Sequence, residues 1–124
     1  MDKVITAVES IKNVNDGDTL LIGGFLHCGS PETLTKTLHD NSDAKDLTIV
    51  STDTGNSETN TCKVMEQKRV VKVYASYIGA NKETGKMFLE NKESVTLVPQ
   101  GTLAERIRAG GAGIKGFYTP VGVG

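Results

Sequence analysis

The sequence predicts an α/β protein built on a mostly parallel sheet with flanking helices. Three observations lead there. Four short apolar runs, at 19–22, 47–50, 70–75 and 95–98, have strand length and recur every 23 to 28 residues or so. The stretches between them are helical in pattern or polar, as strand–helix–strand crossovers require. No repeat, linker or low-complexity block interrupts the chain, so residues 1–124 read as a single domain, a size at which one core is feasible.

The elements follow in order. Val4, Ala7, Val8 and Ile11 fall at helical spacing, with Asp2 placed as a cap. Asn15-Asp16-Gly17-Asp18 is a turn. Thr19 to Ile22 is the first strand, ended by Gly23-Gly24-Phe25. Ser30-Pro31-Glu32 opens a second helix: serine caps, proline takes the first helical position and glutamate meets the positive end of the helix. Leu34 and Leu38 form its inner stripe. Leu47 to Val50 is the second strand, followed by a polar segment from Thr52 to Asn60 and a short helix from Thr61 to Gln67. Val70 to Ala75 is the third strand and Asn81 to Asn91 a polar segment. Val95 to Val98 is the fourth, stopped by Pro99. Thr102-Leu103-Ala104-Glu105 matches a capping box, and its helix runs to about Arg108, before Ala109 to Gly113.

The C-terminal part is unusual. Half of the 14 glycines lie in the last 24 residues, and neither a closing helix nor a polar tail follows. Four strands with three or four short helices leave one sheet face thinly covered, whereas a parallel sheet needs both faces covered. The expectation is a partial domain that is unstable alone, exposes apolar surface or assembles with other chains.

Composition narrows the function. Charged residues make up 23% with a net charge of −1, and no lysine or arginine run offers a nucleic-acid footprint. No apolar run approaches the roughly 20 residues that cross a bilayer, and the N-terminal MDKVITAVES has no apolar signal core, so a cytoplasmic protein is expected. Cys28 and Cys62 have neither metal-ligand nor redox spacing and read as reduced thiols.

Three segments are placed to carry chemistry. Gly23-Gly24-Phe25 lies between a strand and a helix, where a backbone without Cβ atoms lets a ligand come close. Helix N–H groups after Ser30 would favour an anion or a carbonyl oxygen. The dinucleotide and phosphate-loop patterns both fail here, and a tight strand-to-helix turn explains the same residues. Gln100 sits between the fourth strand and its helix, where its neutral amide can donate to a carboxylate or thioester oxygen or simply stabilise a turn. Thr52 and Asp53, after the second strand, can line a pocket or form an ordinary turn. Arg106 and Arg108 could meet phosphates or a neighbouring protein chain, although solvated helix arginines are commoner.

Together these segments resemble the class I coenzyme A transferases. Asp16 to Pro31 fits that family's A-type signature: Asp16-Gly17, the apolar Leu20 to Ile22, Gly23-Gly24-Phe25, Gly29 and Pro31, all at the right spacing. Val73 to Gly79, Pro99 to Gly113 and Phe117 to Pro120 also resemble family segments in order and spacing, so the likeness covers the whole chain. It is nearest to the alpha chains of the acetoacetate, butyrate and 3-oxoacid type. Such chains continue past the position of Gly124, so the resemblance implies a domain incomplete at its C-terminal end.

The resemblance implies an enzyme half that moves coenzyme A between an acyl-CoA and a short-chain carboxylic or 3-oxo acid. The nucleophilic glutamate belongs to a partner B (beta) subunit, giving a hetero-oligomer. Coenzyme A and its acyl esters are substrates, with no permanent cofactor and no metal. Here no catalytic residue is expected. Gly23, Gly24 and Phe25 would shape the backbone beside the substrate, and Thr52, Asp53 and Gln100 would line the acid pocket. Ser57-Glu58-Thr59-Asn60 is superficially like the family's nucleophile motif but lacks its glycine and lies in the A-type region. Thr52 departs from the usual asparagine, exchanging an amide for a hydroxyl, which bears on how acids are bound or selected. Leu26 and His27 replace a glycine or another apolar residue of many relatives, and His27 is expected in a loop or interface. Two rival readings stand beside this one: an inactive remnant that at most binds a B subunit, and a small sugar-phosphate or nucleotide-binding module that holds phosphate near Ser30.

Overall fold

A computed structural model describes residues 3–26 and 28–123. Asp2 and His27, with the roles expected for them, lie outside the described residues. The strands are β1 (Thr19–Ile22), β2 (Leu47–Asp53), β3 (Val70–Tyr77) and β4 (Val95–Leu97). The helices are α1 (Ala7–Ile11), α2 (Glu32–Asn41), α3 (Asn60–Glu66), α4 (Lys82–Glu90) and α5 (Gln100–Gly111), with a 3₁₀ turn over Lys92–Ser94.

All four strands run parallel in the order β1-β2-β3-β4. Because sequential strands are spatial neighbours, right-handed crossovers put α2, α3 and α4 on one face. The packing agrees: α2 touches α1 and α3, and α3 touches α4. Beneath these helices one row of side chains crosses the sheet, with Leu20 opposite Ile49, Ile49 opposite Val73 and Val73 opposite Val95. Ile49, Val73 and Leu47 are fully buried, and Leu38, Val64 and Met65 close over them.

Adjacent strand residues alternate between faces. The next row, Leu21, Val50, Tyr74 and Thr96, therefore points to the other side. There α5 packs against β3, and its Leu103, Ala104 and Ile107 share a hollow with Leu21 and Val50. Among the described residues α5 is the only helix on this face. Leu21 remains 59% exposed and Ile107 46%. The thinly covered face read from the sequence is thus observed directly.

Several local expectations shift, each for a physical reason. The first helix starts later, because Thr6 and Glu9 form a reciprocal capping box; Val4 is exposed outside it. α2 begins at Glu32 with Pro31, not Ser30, at the cap position and no side-chain cap bond; its Leu34 is 42% exposed, leaving Leu38 and Thr35 to bury the inner face. The polar Asn81–Asn91 segment is a helix. The Asn81 carboxamide accepts from the Glu83 and Thr84 backbone N–H groups and donates to the Thr54 carbonyl, which starts α4 and anchors it to the loop after β2. α5 starts two residues before Thr102 and runs through Gly110 and Gly111; Glu105 pairs with Arg108 instead of capping. β2 and β3 extend to Asp53 and Tyr77, which carries the residues of interest within ladder geometry.

Core and uncovered face should respond differently to truncation. Ile49→Ala should remove about 2–5 kcal/mol of stability, the cost of a cavity at the fully buried centre of the sheet. Leu21→Ala should cost under about 1 kcal/mol. Urea unfolding of the two variants side by side makes the comparison.

Candidate functional site

The candidate residues gather at the C-terminal ends of the parallel strands, the edge where open α/β sheets hold ligands. β1 runs into Gly23-Gly24-Phe25, β2 ends on Ser51-Thr52-Asp53, β3 ends on Ser76-Tyr77, and Gln100 is the first residue of α5. A shallow hollow of about 220 Å³ lies on the α5 side of the sheet. Gly23, Thr52 and Gln100 line its polar end, while Leu21, Val50, Leu103 and Ile107 supply an apolar floor and wall. A Cβ on Gly23 would meet nothing within 4 Å, so internal packing does not require a glycine there.

Gln100 is held by two hydroxyls. Ser76 Oγ donates to Gln100 Oε1 at 2.7 Å, and Gln100 Nε2 donates to Thr52 Oγ1 at 3.3 Å. Thr52 and Ser76 are cross-strand neighbours on one face, since Ser51 pairs with Ala75 and Asp53 with Tyr77. Ser51 faces the other way and ties β2 to β1, donating to the Ile22 carbonyl at 2.6 Å.

Asp53 does something different from Thr52. It is 5% exposed and lies on the opposite face of β2. One carboxylate oxygen accepts from the Leu26 N–H at 2.8 Å and the other from the Gly55 N–H at 2.8 Å. Both oxygens thus brace backbone rather than face the hollow. Leu26 has φ of +54°, a left-handed conformation that costs a non-glycine residue about 1–2 kcal/mol. The Asp53 bond holds it there, and Phe25 and Cys28 close the same turn with two backbone hydrogen bonds. Gly24 lies beneath, with φ of +115°; a Cβ there would come within 2.8 Å of the Ser30 nitrogen. Phe25 is half exposed, its ring 6.3 Å from that of Tyr77, the β3 partner of Asp53.

The residues named from the sequence therefore divide. Gly23, Thr52 and Gln100 meet at the hollow; Gly24, Phe25 and Asp53 belong to the loop behind it and do not line it. Sequence reasoning missed Ser76, Tyr77 and the strained Leu26. Continuing the strand alternation from Tyr74 would have found Ser76, but only the pairing with β2 gives it a partner. Glu32, the first residue of α2, turns its carboxylate to the start of α3: Oε2 accepts from the Asn60 N–H at 3.0 Å and from Asn60 Nδ2 at 2.6 Å. A negative side chain on the first turn of α2 disfavours an anion beside it. Glu58 lies exposed in the turn ahead of α3, away from the hollow-lining set. Cys62 is buried, and its thiol pKa is raised by desolvation and by the nearby Glu66 and Glu83.

A profile of the coenzyme A transferase family matches residues 4–124. The chain belongs to this family. Over its full length it is 50% identical to the A-type chain of a probable succinyl-CoA:3-ketoacid coenzyme A transferase of Bacillus subtilis, covering 52% of that protein. It is 46% identical to the alpha chain of the acetoacetyl-CoA:acetate/butyrate CoA transferase of Clostridium acetobutylicum, covering all of this chain and 57% of that one. With the alpha chain of the acetate CoA-transferase of Escherichia coli K12 it shares 43% identity over 98% of the chain and 55% of the relative. The chain thus spans about half the length of the curated relatives it matches. A crystal structure of an acyl-CoA transferase from Escherichia coli O157:H7, a thioester complex with CoA, superposes with a TM-score of 0.81 at 22% identity, over 97% of this chain and 25% of that one. The decarboxylase AibA/AibB shares the fold at a TM-score of 0.73 and 14% identity, over 89% of this chain and 44% of that one. Across coenzyme A transferases and this decarboxylase the backbone is shared, so chemistry must be argued from side chains.

Two measurements probe this geometry. Asp53→Asn keeps one acceptor but sets an N–H against the other backbone N–H, so it should cost about 1–3 kcal/mol. Hydrogen exchange should then show the Leu26 or Gly55 amide losing protection. A thiol reagent under native conditions should label the exposed Cys28 well before Cys62, because burial and a raised pKa both slow the latter.

Proposed function

We propose that this chain forms the acid-binding wall of the alpha half of a coenzyme A transferase. The enzyme would move coenzyme A between an acyl-CoA and a short-chain carboxylic or 3-oxo acid of the acetoacetate, butyrate and acetate class. The supporting observation is the Gln100 amide, fixed beside Gly23 and Thr52 at the sheet edge, in a chain similar end to end to proteins named for those substrates.

The chemistry is acyl transfer through a carboxylate nucleophile. The nucleophile is a glutamate carboxylate supplied by a partner B subunit. It attacks the thioester carbonyl; the C–S bond breaks and an acyl–glutamyl anhydride forms. The CoA thiolate then attacks the glutamyl carbonyl, releasing the first acid and leaving glutamyl-CoA. An incoming carboxylate reverses both steps and departs as its own CoA ester. Each tetrahedral intermediate carries an oxyanion, and a preorganised donor near it lowers the barrier. Gln100 Nε2 has two hydrogens; Thr52 takes one, and the other is available to that oxygen. The open backbone at Gly23 admits the reacting group, and the Leu21–Val50–Ile107 surface receives a short alkyl chain. Thr52, where an amide is usual, makes one donor fewer and so favours acids that need less polar anchoring.

Coenzyme A and its esters act as substrates, and the setting is a cytoplasmic hetero-oligomer. Among the described residues no helix is long and apolar enough to cross a membrane.

The test is to produce this chain with its B-type partner and follow CoA exchange between acetoacetate or butyrate and acetyl-CoA. Exchange should need both chains, and Gln100→Ala should lower kcat roughly 10²-fold, as loss of an oxyanion donor does. Exchange by this chain alone would refute placement of the nucleophile on the partner.

A further inference from the structure

We infer that Ser76 is a positioning residue: with Thr52 it holds the Gln100 amide across the ends of β2 and β3, so that the second Nε2–H is presented to substrate. In its kinetic consequences this rests on the transferase reading above; in its structural consequence it does not.

A glutamine on the first turn of a helix has a long side chain with several free torsions, and Gln100 is largely exposed. Packing does not immobilise it. Pro99, at the cap position of α5, offers no side-chain hydrogen bond, so the helix start does not immobilise it either. What remains is the pair of hydroxyls. Ser76 Oγ lies 2.7 Å from Oε1 and Thr52 Oγ1 lies 3.3 Å from Nε2. The shorter, better-formed bond is the one to Ser76. The two hydroxyls project from adjacent strands on the same face, one register step apart from the Ser51–Ala75 and Asp53–Tyr77 pairs. Two fixed points on a rigid sheet define the position and plane of the amide, as one point would not.

Ser76 also acts on the donor. A hydrogen bond accepted at the amide oxygen polarises the group and strengthens its N–H as a donor. Ser76 itself does not line the hollow that Thr52 and Gln100 border. It therefore approaches the amide from behind and acts through Gln100, not on the substrate. A serine that only fills the end of a strand would have neither effect.

This chain holds just two glutamines, Gln67 and Gln100, so selective ¹⁵N-glutamine labelling of the assembled complex yields two side-chain amides from it. The partner's glutamines stay unlabelled if the two chains are produced separately and mixed. The Gln100 pair, assigned by its loss in Gln100→Ala, should appear away from free-glutamine shifts and move to them in Ser76→Ala. In the exchange assay Ser76→Ala should lower kcat roughly tenfold, the scale of one lost hydrogen bond, with KM for the carboxylic acid changed less than about twofold. Ser76→Thr, which keeps the hydroxyl, should recover most of that loss. The Ser76→Ala/Gln100→Ala pair should be no slower than Gln100→Ala, because both act through one amide. If Ser76→Ala does not assemble, Ser76→Cys replaces it, near in size but a weak donor. An unmoved Gln100 resonance in the serine variant overturns the inference whatever the activity, and so does full additivity of the two substitutions. An inactive parent complex sinks the transferase reading alone, and the amide resonances then decide the role of Ser76.

Discussion

β2 and β3 pair in parallel from Thr48 and Lys72 to Asp53 and Tyr77, and this register assigns every site residue to a face. Ile49 and Val73 meet at the centre of the buried row, with Leu20 and Val95 on either side. Their burial makes a one-residue slip prohibitive, since it would send the whole row to the other side. With that row set, Thr52 and Ser76 must emerge together on the α5 side, and Asp53 must emerge on the helix-covered side. The hydrophobic core thus places the polar groups, although none of them contributes to it.

Behind the hollow, the loop after β1 depends on a second constraint. Gly24 is at φ +115° with Ser30 pressed against it, and Leu26 is in a left-handed conformation. Asp53 offsets that strain by accepting from Leu26 and from Gly55 at once. One carboxylate therefore joins the ends of β1 and β2. Its neighbour Thr52, facing the other way, is free to contact Gln100. Adjacent residues of one strand brace a loop and line the hollow because the pleat separates them.

The relation to a decarboxylase of similar backbone shows what such a scaffold leaves undetermined. A sheet edge with a glycine turn and a helix start can hold many carbonyl or carboxyl compounds. A neutral amide held by two hydroxyls offers a donor without adding charge. Beside it Leu21 and Ile107 leave apolar side chains exposed on the same side of the sheet.

Much was legible in the residues themselves. The spaced apolar runs determined a parallel α/β sheet, because strand length and crossover length are local properties. The Asp16–Pro31 signature determined the family, because a turn with required glycines and a helix-starting proline leaves little freedom in sequence. Gly23, Thr52 and Gln100, singled out from the sequence, line one hollow. The helix in the polar 81–91 stretch was not legible because Asn81 announces it by capping it, and a cap carries no hydrophobic period. The tertiary structure alone decided that Asp53 braces backbone while Thr52 faces the hollow, that Leu26 is strained, and that Ser76 meets Gln100, 24 residues away in the chain. These depend on which strands pair and in what register, and that is settled by burial across the whole sheet rather than by any one segment.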